Sequence, residues 1–199
     1  MNTKKNNLLI LTHPKLVKSE WDYELNNANN IDVNTVTYGA GVKANWHCNA
    51  CNSKYVMRVK DKTNGQKYPY CTGKKVLPGF NDLQSLYPDL ISKEWDYEKN
   101  NANGIHPDEL TKGSGLKTWW RCAVCKGSYE MKTYLKTNGN GCPFCAGKRV
   151  LVGFNDLLTL YPELIESEWN YAVNDSKNIN PSELTKGSHR KASWKCSEC

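Results

Sequence analysis

The sequence predicts an α+β protein built from small metal-stabilised modules in tandem, each with a cysteine knuckle, a β-hairpin and short helices. Three observations predict it. Cysteine pairs return at Cys48/Cys51, Cys122/Cys125 and Cys196/Cys199, each pair 74 positions after the last. The same interval carries Trp21 to Trp95 and Trp169, and Trp46 to Trp120 and Trp194. It also carries Gly79-Phe80-Asn81-Asp82-Leu83 to Gly153-Phe154-Asn155-Asp156-Leu157. A period kept across cysteines, tryptophans and turn residues marks repeats of one fold, so function is read per unit. The units run 5–78, 79–152 and 153–199.

Within a unit the first elements are short helices. Asn155 or Asp156 suits a helix N-cap, with Leu157, Leu160 and Tyr161 on one face. Pro162 then suits the first turn of a second helix that turns Leu164, Ile165 and Trp169 inward. Unit two repeats this with Leu83, Leu86, Tyr87, Pro88, Leu90, Ile91 and Trp95. The carboxylates Glu94 and Asp96 beside Trp95 fall on different helix faces and read as solvated surface. After an Asn-rich loop, the turn Leu110-Thr111-Lys112-Gly113-Ser114 leads into a strand that ends at the knuckle. The returning strand, Tyr55 to Lys60 in unit one, alternates: Tyr55, Met57 and Val59 face a core, while Lys54, Arg58 and Lys60 face out. Asn64-Gly65 and Asn138-Gly139 are turn signals just before the second ligand pair.

The middle unit holds the metal motif whole, as Cys122-x2-Cys125, sixteen residues, then Cys142-Pro143-Phe144-Cys145. Two such turns present four thiolates to a tetrahedral zinc ion. Disulfides and a redox pair are weaker readings, because all nine cysteines fall on repeat positions: four in the second unit, three in the first, two in the third. Lys4 and Lys5 precede an apolar run of only Leu8 to Leu11, shorter than the roughly 7–15 residues of a signal-peptide core, and no segment approaches membrane-spanning length. A reducing cytoplasm is the expected home, which favours metal over disulfide. Each unit buries little apolar area for its length. A structural zinc, worth about 10–16 kcal/mol of apparent binding energy in small fingers, then decides whether it folds.

Units one and three depart from this pattern. In unit one Cys48, Cys51 and Cys71 remain, but Tyr68 stands where Cys142 stands in unit two. Either a distant group such as His13 or His47 completes that site, or its metal is weak or absent. Unit three stops on its second ligand, with Cys196 and Cys199 in place. A fragment of a longer array is the favoured explanation, beside completion by another chain or an idle pair.

These residues resemble a known family, the tandem treble-clef zinc fingers, a zinc-ribbon-like repeat without an assigned role. The resemblance covers nearly the whole chain. Its marks are Glu94-Trp95-Asp96-Tyr97 with the following Asn100, Trp120-Arg121-Cys122, Cys142-Pro143-Phe144-Cys145, and the Gly-Phe-Asn-Asp-Leu linker. It implies a knuckle, a hairpin and a helix around each zinc. It implies less about activity, since such repeats occur alone in arrays and also beside nuclease-like domains.

Charge gives the functional clue. The chain is basic, with a formal charge of +7 and a pI near 8.9. The metal modules carry the excess: residues 111–148 set seven cations against Glu130 alone, and residues 37–74 set seven against Asp61 alone. The helical stretch 80–110 sets Lys93 and Lys99 against seven acids. Four thiolates with one Zn²⁺ total −2, which lowers the positive field of unit two but leaves a phosphate-binding surface. The candidate contacts are Lys112, Ser114, Lys117, Trp119, Arg121 and Lys132 in unit two, and Lys43, Lys54, Arg58 and Lys60 in unit one. Trp119 neighbours Trp120 in a strand and so points away from the core, where it either stacks on a base or packs on an adjacent repeat. Lys112-Gly113-Ser114 offers an ammonium, open backbone and a hydroxyl to a phosphate, or is a plain turn.

The expected function is a zinc-dependent nucleic-acid-binding array, with DNA as the partner and no catalysis of its own. Two other classes stand beside it: a protein-binding adaptor or inhibitor docking on an acidic surface, and the targeting arm of a longer nuclease. None of the four histidines recurs at a repeat position, so no His-metal or Cys-His centre stands out.

Overall fold

The computed structural model describes residues 7–198; Lys4, Lys5 and Cys199 lie outside them. It is α+β and divides into two compact units, Met1–Asp82 and Leu83–Cys199. The first unit runs α1 (Leu9–Thr12), α2 (Pro14–Glu20), α3 (Tyr23–Ala28), β1 (Lys43–His47), β2 (Lys54–Arg58) and α4 (Val59–Thr63). The second repeats that order with α5 (Leu83–Leu86), α6 (Pro88–Glu94), α7 (Tyr97–Ala102), β3 (Lys117–Arg121), β4 (Ser128–Lys132) and α8 (Thr133–Thr137). It then adds α9 (Leu157–Leu160), α10 (Pro162–Glu168) and α11 (Tyr171–Ser176). Each strand pair is an antiparallel two-stranded sheet. No helix among the described residues is long and apolar enough to cross a membrane.

The short helices follow from proline and tryptophan. His13, Tyr87 and Tyr161 each precede a proline and leave the helical region, with φ near −130 to −136° and ψ near 52 to 56°. Proline disfavours the α conformation in the residue before it and itself begins the next helix. That next helix stops at Trp21, Trp95 or Trp169, whose backbone turns extended and bridges to Trp46, Trp120 or Trp194. The bridged indoles meet edge to face, with centroids 5.2, 5.2 and 5.0 Å apart at 90, 89 and 90°. Asp22, Asp96 and Asn170 then cap the third helix by accepting from Leu25 N, Lys99 N and Val173 N.

One buried asparagine per repeat ties this helix to the hairpin. Asn26, Asn100 and Asn174 have no exposed surface. The amide of Asn100 accepts from Trp119 N at 2.9 Å and donates to Trp119 O at 2.8 Å. Asn26 does the same with Asn45 at 2.7 and 2.8 Å, and Asn174 with Ser193 at 2.7 and 2.8 Å. Each side chain thus fills one rung of a sheet ladder from a helix.

The linker is tied down as well. Asn155 donates to Phe144 O at 2.7 Å and Arg149 O at 2.9 Å, and accepts from Leu151 N at 2.7 Å. Asp156 accepts from Gly153 N and Thr159 N, capping α9. Asn81 makes the matching bonds to Tyr70 O, Lys75 O and Leu77 N in the first unit.

Three local expectations need correction. The strand read from Tyr55 to Lys60 ends at Arg58, and Val59 begins α4, so Lys60 rides on a helix. Leu160, Tyr161, Leu164 and Leu86 are exposed rather than inward, because helices this short bury at most one apolar position: Leu83 in α5, Ile91 in α6, Ile165 in α10 and none in α9. Glu94 and Asp96 are not solvated surface. Asp96 is buried as the cap of α7 and accepts from Ser128 Oγ at 2.5 Å, while Glu94 pairs with the buried Lys136 at 2.6 Å.

Asn100→Ala leaves a strand N–H and C=O without partners in a closed interior, and is expected to cost about 2–4 kcal/mol. Urea unfolding of the zinc-loaded chain measures it. Asn101→Ala, which removes an exposed side chain of the same helix, serves as the control and should shift stability by less than about 0.5 kcal/mol.

Candidate metal centres

The knuckle of the second unit forms because the chain reverses immediately after β3. Cys122 N bonds to Gly127 O and Lys126 N to Cys122 O, with Lys126 in the left-handed region at φ 61°. Gly127 has no room for a side chain, since a Cβ there would lie 2.8 Å from both Leu151 and Phe144. The second turn closes by Ala146 N to Cys142 O and Gly147 N to Phe144 O. Phe144 meets Tyr129 edge to face and so seats this turn on the hairpin.

These two turns bring four sulfurs together. The Sγ atoms of Cys122, Cys125, Cys142 and Cys145 all lie within 4.8 Å of one another. Cys122 and Cys145 are 3.6 Å apart, as are Cys125 and Cys142. A tetrahedral zinc with Zn–S near 2.3 Å requires edges of about 3.8 Å, so the set fits that ion. In the first unit Cys48, Cys51 and Cys71 form a three-sulfur cluster on the same criterion. Cys48 and Cys71 are 3.3 Å apart, Cys71 and Cys51 3.7 Å.

A family model described as Probable Treble clef zinc finger domain matches residues 17–74, 91–148 and 165–199. The chain belongs to this family. No curated protein matches it. The three matches start at Val17, Ile91 and Ile165, equivalent positions of three treble-clef repeats. Two of these repeats therefore hold cysteine clusters compatible with zinc, one of four thiols and one of three.

Neither His13 nor His47 joins the three-cysteine cluster. His13 bonds to the Thr12 hydroxyl and lies against Tyr38, and His47 stands opposite Lys54 in the hairpin register. Tyr68 is buried and stacks on Tyr55 at 4.1 Å. In the third treble-clef repeat Cys196 is exposed. There the Ser197 hydroxyl bonds to Glu168 at 3.1 Å, and Trp194 is 43% exposed where Trp46 and Trp120 are covered.

The candidate cations divide into held and unheld groups. Lys54 pairs with the buried Asp22 at 3.1 Å and with Glu24 at 3.7 Å. Arg121 pairs with Asp96 at 3.4 Å and Glu98 at 3.7 Å. Lys43, Arg58, Lys60, Lys112, Lys117 and Lys132 are exposed and make no ion pair among the described residues. Lys117 and Lys132 stand opposite each other at the open end of the hairpin, as do Lys43 and Arg58. Ser114 accepts from Leu116 N, closing its own turn. Trp119 is half-buried on the face away from Trp120, with the Lys99 ammonium 4.0 Å from its ring centre.

A polar group that sequence reasoning missed lies behind each hairpin. Lys136 is buried, bonds to Glu94 and to Tyr129 Oη at 3.1 Å, and sits 5.7 Å from the Trp120 ring. Burial works against its charge, but the bonds to Glu94 and Tyr129 outweigh this and hold its pKa above the usual lysine value. Lys62 repeats the arrangement with Glu20 at 2.5 Å and Trp46 at 5.9 Å. The signal was present, since Glu20/Lys62 and Glu94/Lys136 are themselves related by the 74-residue interval.

Zinc needs all four thiols of the second centre as thiolates. Burial, with the neighbouring thiols of Cys122 and Cys125, raises Cys142 above the ordinary value of 9.0 and pushes Cys145 up to about 12. Burial also opposes ionisation of Cys122, but the N–H groups of Cys125 and Val124 prevail and bring it to about 7. At pH 7 to 8 metal entry therefore expels at least two protons. Affinity should rise about 100-fold per pH unit over this range, and weaken correspondingly as pH falls. Competition with a chelator at pH 7.0, 7.5 and 8.0, with proton release followed by an indicator dye, measures both. Cys142→Ser should remove one equivalent of zinc and melt the second hairpin, read from metal content and thermal unfolding.

Proposed function

We propose that the chain is a zinc-dependent nucleic-acid-binding repeat protein that contacts phosphates through its basic hairpins and performs no catalysis of its own. The observation that carries this reading is the register of like charges. Lys117 opposite Lys132, and Lys43 opposite Arg58, set two exposed cations face to face at the same position of both hairpins. Like charges directly opposite destabilise a hairpin by roughly 0.2–1 kcal/mol. A phosphodiester bridging such a pair relieves the repulsion and releases condensed counterions from the nucleic acid.

Lys112 and Lys60 extend the surface beside these pairs. Lys54 and Arg121 contribute less, because Asp22 and Asp96 already hold them. A base that stacks on Trp119 has to share the ring with Lys99. DNA is the proposed partner. The reduced thiols such centres require favour the cytoplasm as the compartment.

Titration of the zinc-loaded chain against labelled duplex DNA, single-stranded DNA and RNA at several salt concentrations tests the proposal. Affinity should fall on a log-log line, and Lys117→Ala with Lys132→Ala should lower its slope by about 2 on duplex. Lys132→Ala alone should weaken binding and yet raise thermal stability, by up to about 1 kcal/mol, because it removes the repulsion. No binding to any of the three at low salt, with zinc confirmed, would reject nucleic acid and leave a protein partner to be sought. Loss of stability in Lys132→Ala would remove the bridging-phosphate explanation.

A further inference from the structure

The two metal clusters differ at one corner. In the second repeat that corner is Cys142, a buried thiol 3.6 Å from Cys125. In the first it is Tyr68, whose ring lies flat on Tyr55, 4.1 Å away at 26°, with Tyr70 at 4.8 Å on a tilted approach. A phenol clasped between two aromatic neighbours and only 5% exposed acts as a wall beside the sulfurs. The three thiols span a single face of a tetrahedron, at edges of 3.3 and 3.7 Å. Two of the three thiols reach the surface, Cys71 exposed and Cys51 half-buried, as their counterparts Cys145 and Cys125 do. No histidine among the described residues belongs to the cluster.

We infer that the first repeat is an open three-thiolate zinc centre whose fourth ligand comes from solution, as water at rest and as a small-molecule thiolate when one is present. Three protein ligands with an open fourth position are the arrangement in which zinc exchanges ligands, whereas four closed ligands make a structural site. Three thiolates make the ion a soft acceptor, for which a further thiolate is the matching donor. In the exchange a thiol gives its proton to solvent, its sulfur forms a bond to zinc and the bound water leaves. No electron is transferred, and the centre passes from a net charge of −1 to −2. The two clusters among the described residues thus differ in kind: one closed and structural, one open and exchangeable. The inference rests on zinc occupancy and not on nucleic-acid binding.

Cobalt substitution of the full chain tests it, with 2-mercaptoethanol as the probe. The parent should take up two equivalents of Co²⁺, and added thiol should increase thiolate-to-cobalt charge transfer by one ligand's worth. Tyr68→Cys should show the full intensity at once and not respond to the probe. Tyr68→Phe should behave as the parent. With zinc loaded, a chromophoric chelator should strip the first centre about 10–100-fold faster than the second, and Tyr68→Cys should abolish the fast phase. An unresponsive parent, or a Tyr68→Phe spectrum that loses a ligand band, would overturn the open position. Uptake of one equivalent, lost in Cys142→Ser, would show that the first cluster holds no metal, while no uptake at all would reject the zinc reading of both. A response that grows with protein concentration without added thiol, accompanied by association in sedimentation, would put the donor on a second chain and overturn the small-molecule assignment.

Discussion

Each repeat depends on a buried asparagine that imitates a strand. Asn26, Asn100 and Asn174 offer one acceptor and one donor at the spacing of a peptide unit, and the strand residue opposite takes both. An unpaired amide in a closed interior is costly, so the helix cannot slide or rotate without losing two bonds together. That lock fixes the Trp pair, because the bridge between Trp95 and Trp120 immediately precedes the asparagine's helix and immediately follows its strand partner. The third repeat makes the same asparagine bonds and the same edge-to-face indole contact. Each repeat is thus a polar and aromatic clasp, to which the first two add a cysteine cluster as a second source of order.

Much of this was legible. The 74-residue period, the CxxC spacing and the inward and outward alternation of β2 each state a local geometry that a single segment determines. Asn100 was visible too, as a mark of family resemblance, but its role was not, because its partner Trp119 lies 19 positions away. Glu94 and Asp96 were misread for the same reason. Helix-face reasoning treats a carboxylate by its immediate neighbours, whereas their partners Lys136, Ser128 and Arg121 arrive from 25 to 42 positions further on. Comparing units supplied the missing information for cysteines and tryptophans, and the same comparison applied to Glu and Lys would have paired Glu20 with Lys62. The short reach of four- and seven-residue helices accounts for the exposed Leu160 and Leu164, since an apolar stripe needs more turns than they have.

The charge count also changes meaning once partners are known. Lys136 is buried and Lys62 half-buried against the core, and Lys54 and Arg121 lie over the cap carboxylates, so four of the basic residues serve the fold. What remains is smaller and better organised than a net charge suggests: two facing cations at the end of each hairpin, plus a few lysines beside them. Concentrating charge at one rung raises the local field far more than the same charge dispersed over a surface.

The linker gives the array a direction. Asn155, which opens the third repeat, grips the carbonyls of Phe144 and Arg149 around the second metal turn, and the adjoining Asp156 caps α9. Repeats coupled to their neighbours in this way behave as a one-dimensional lattice, in which the state of one site biases the next. Here the bias between the second and third repeats is polar: the residue that grips the second metal turn opens the third repeat, so loss of that metal loosens α9. A chelator acting on the second centre is thus felt one repeat beyond the site it empties.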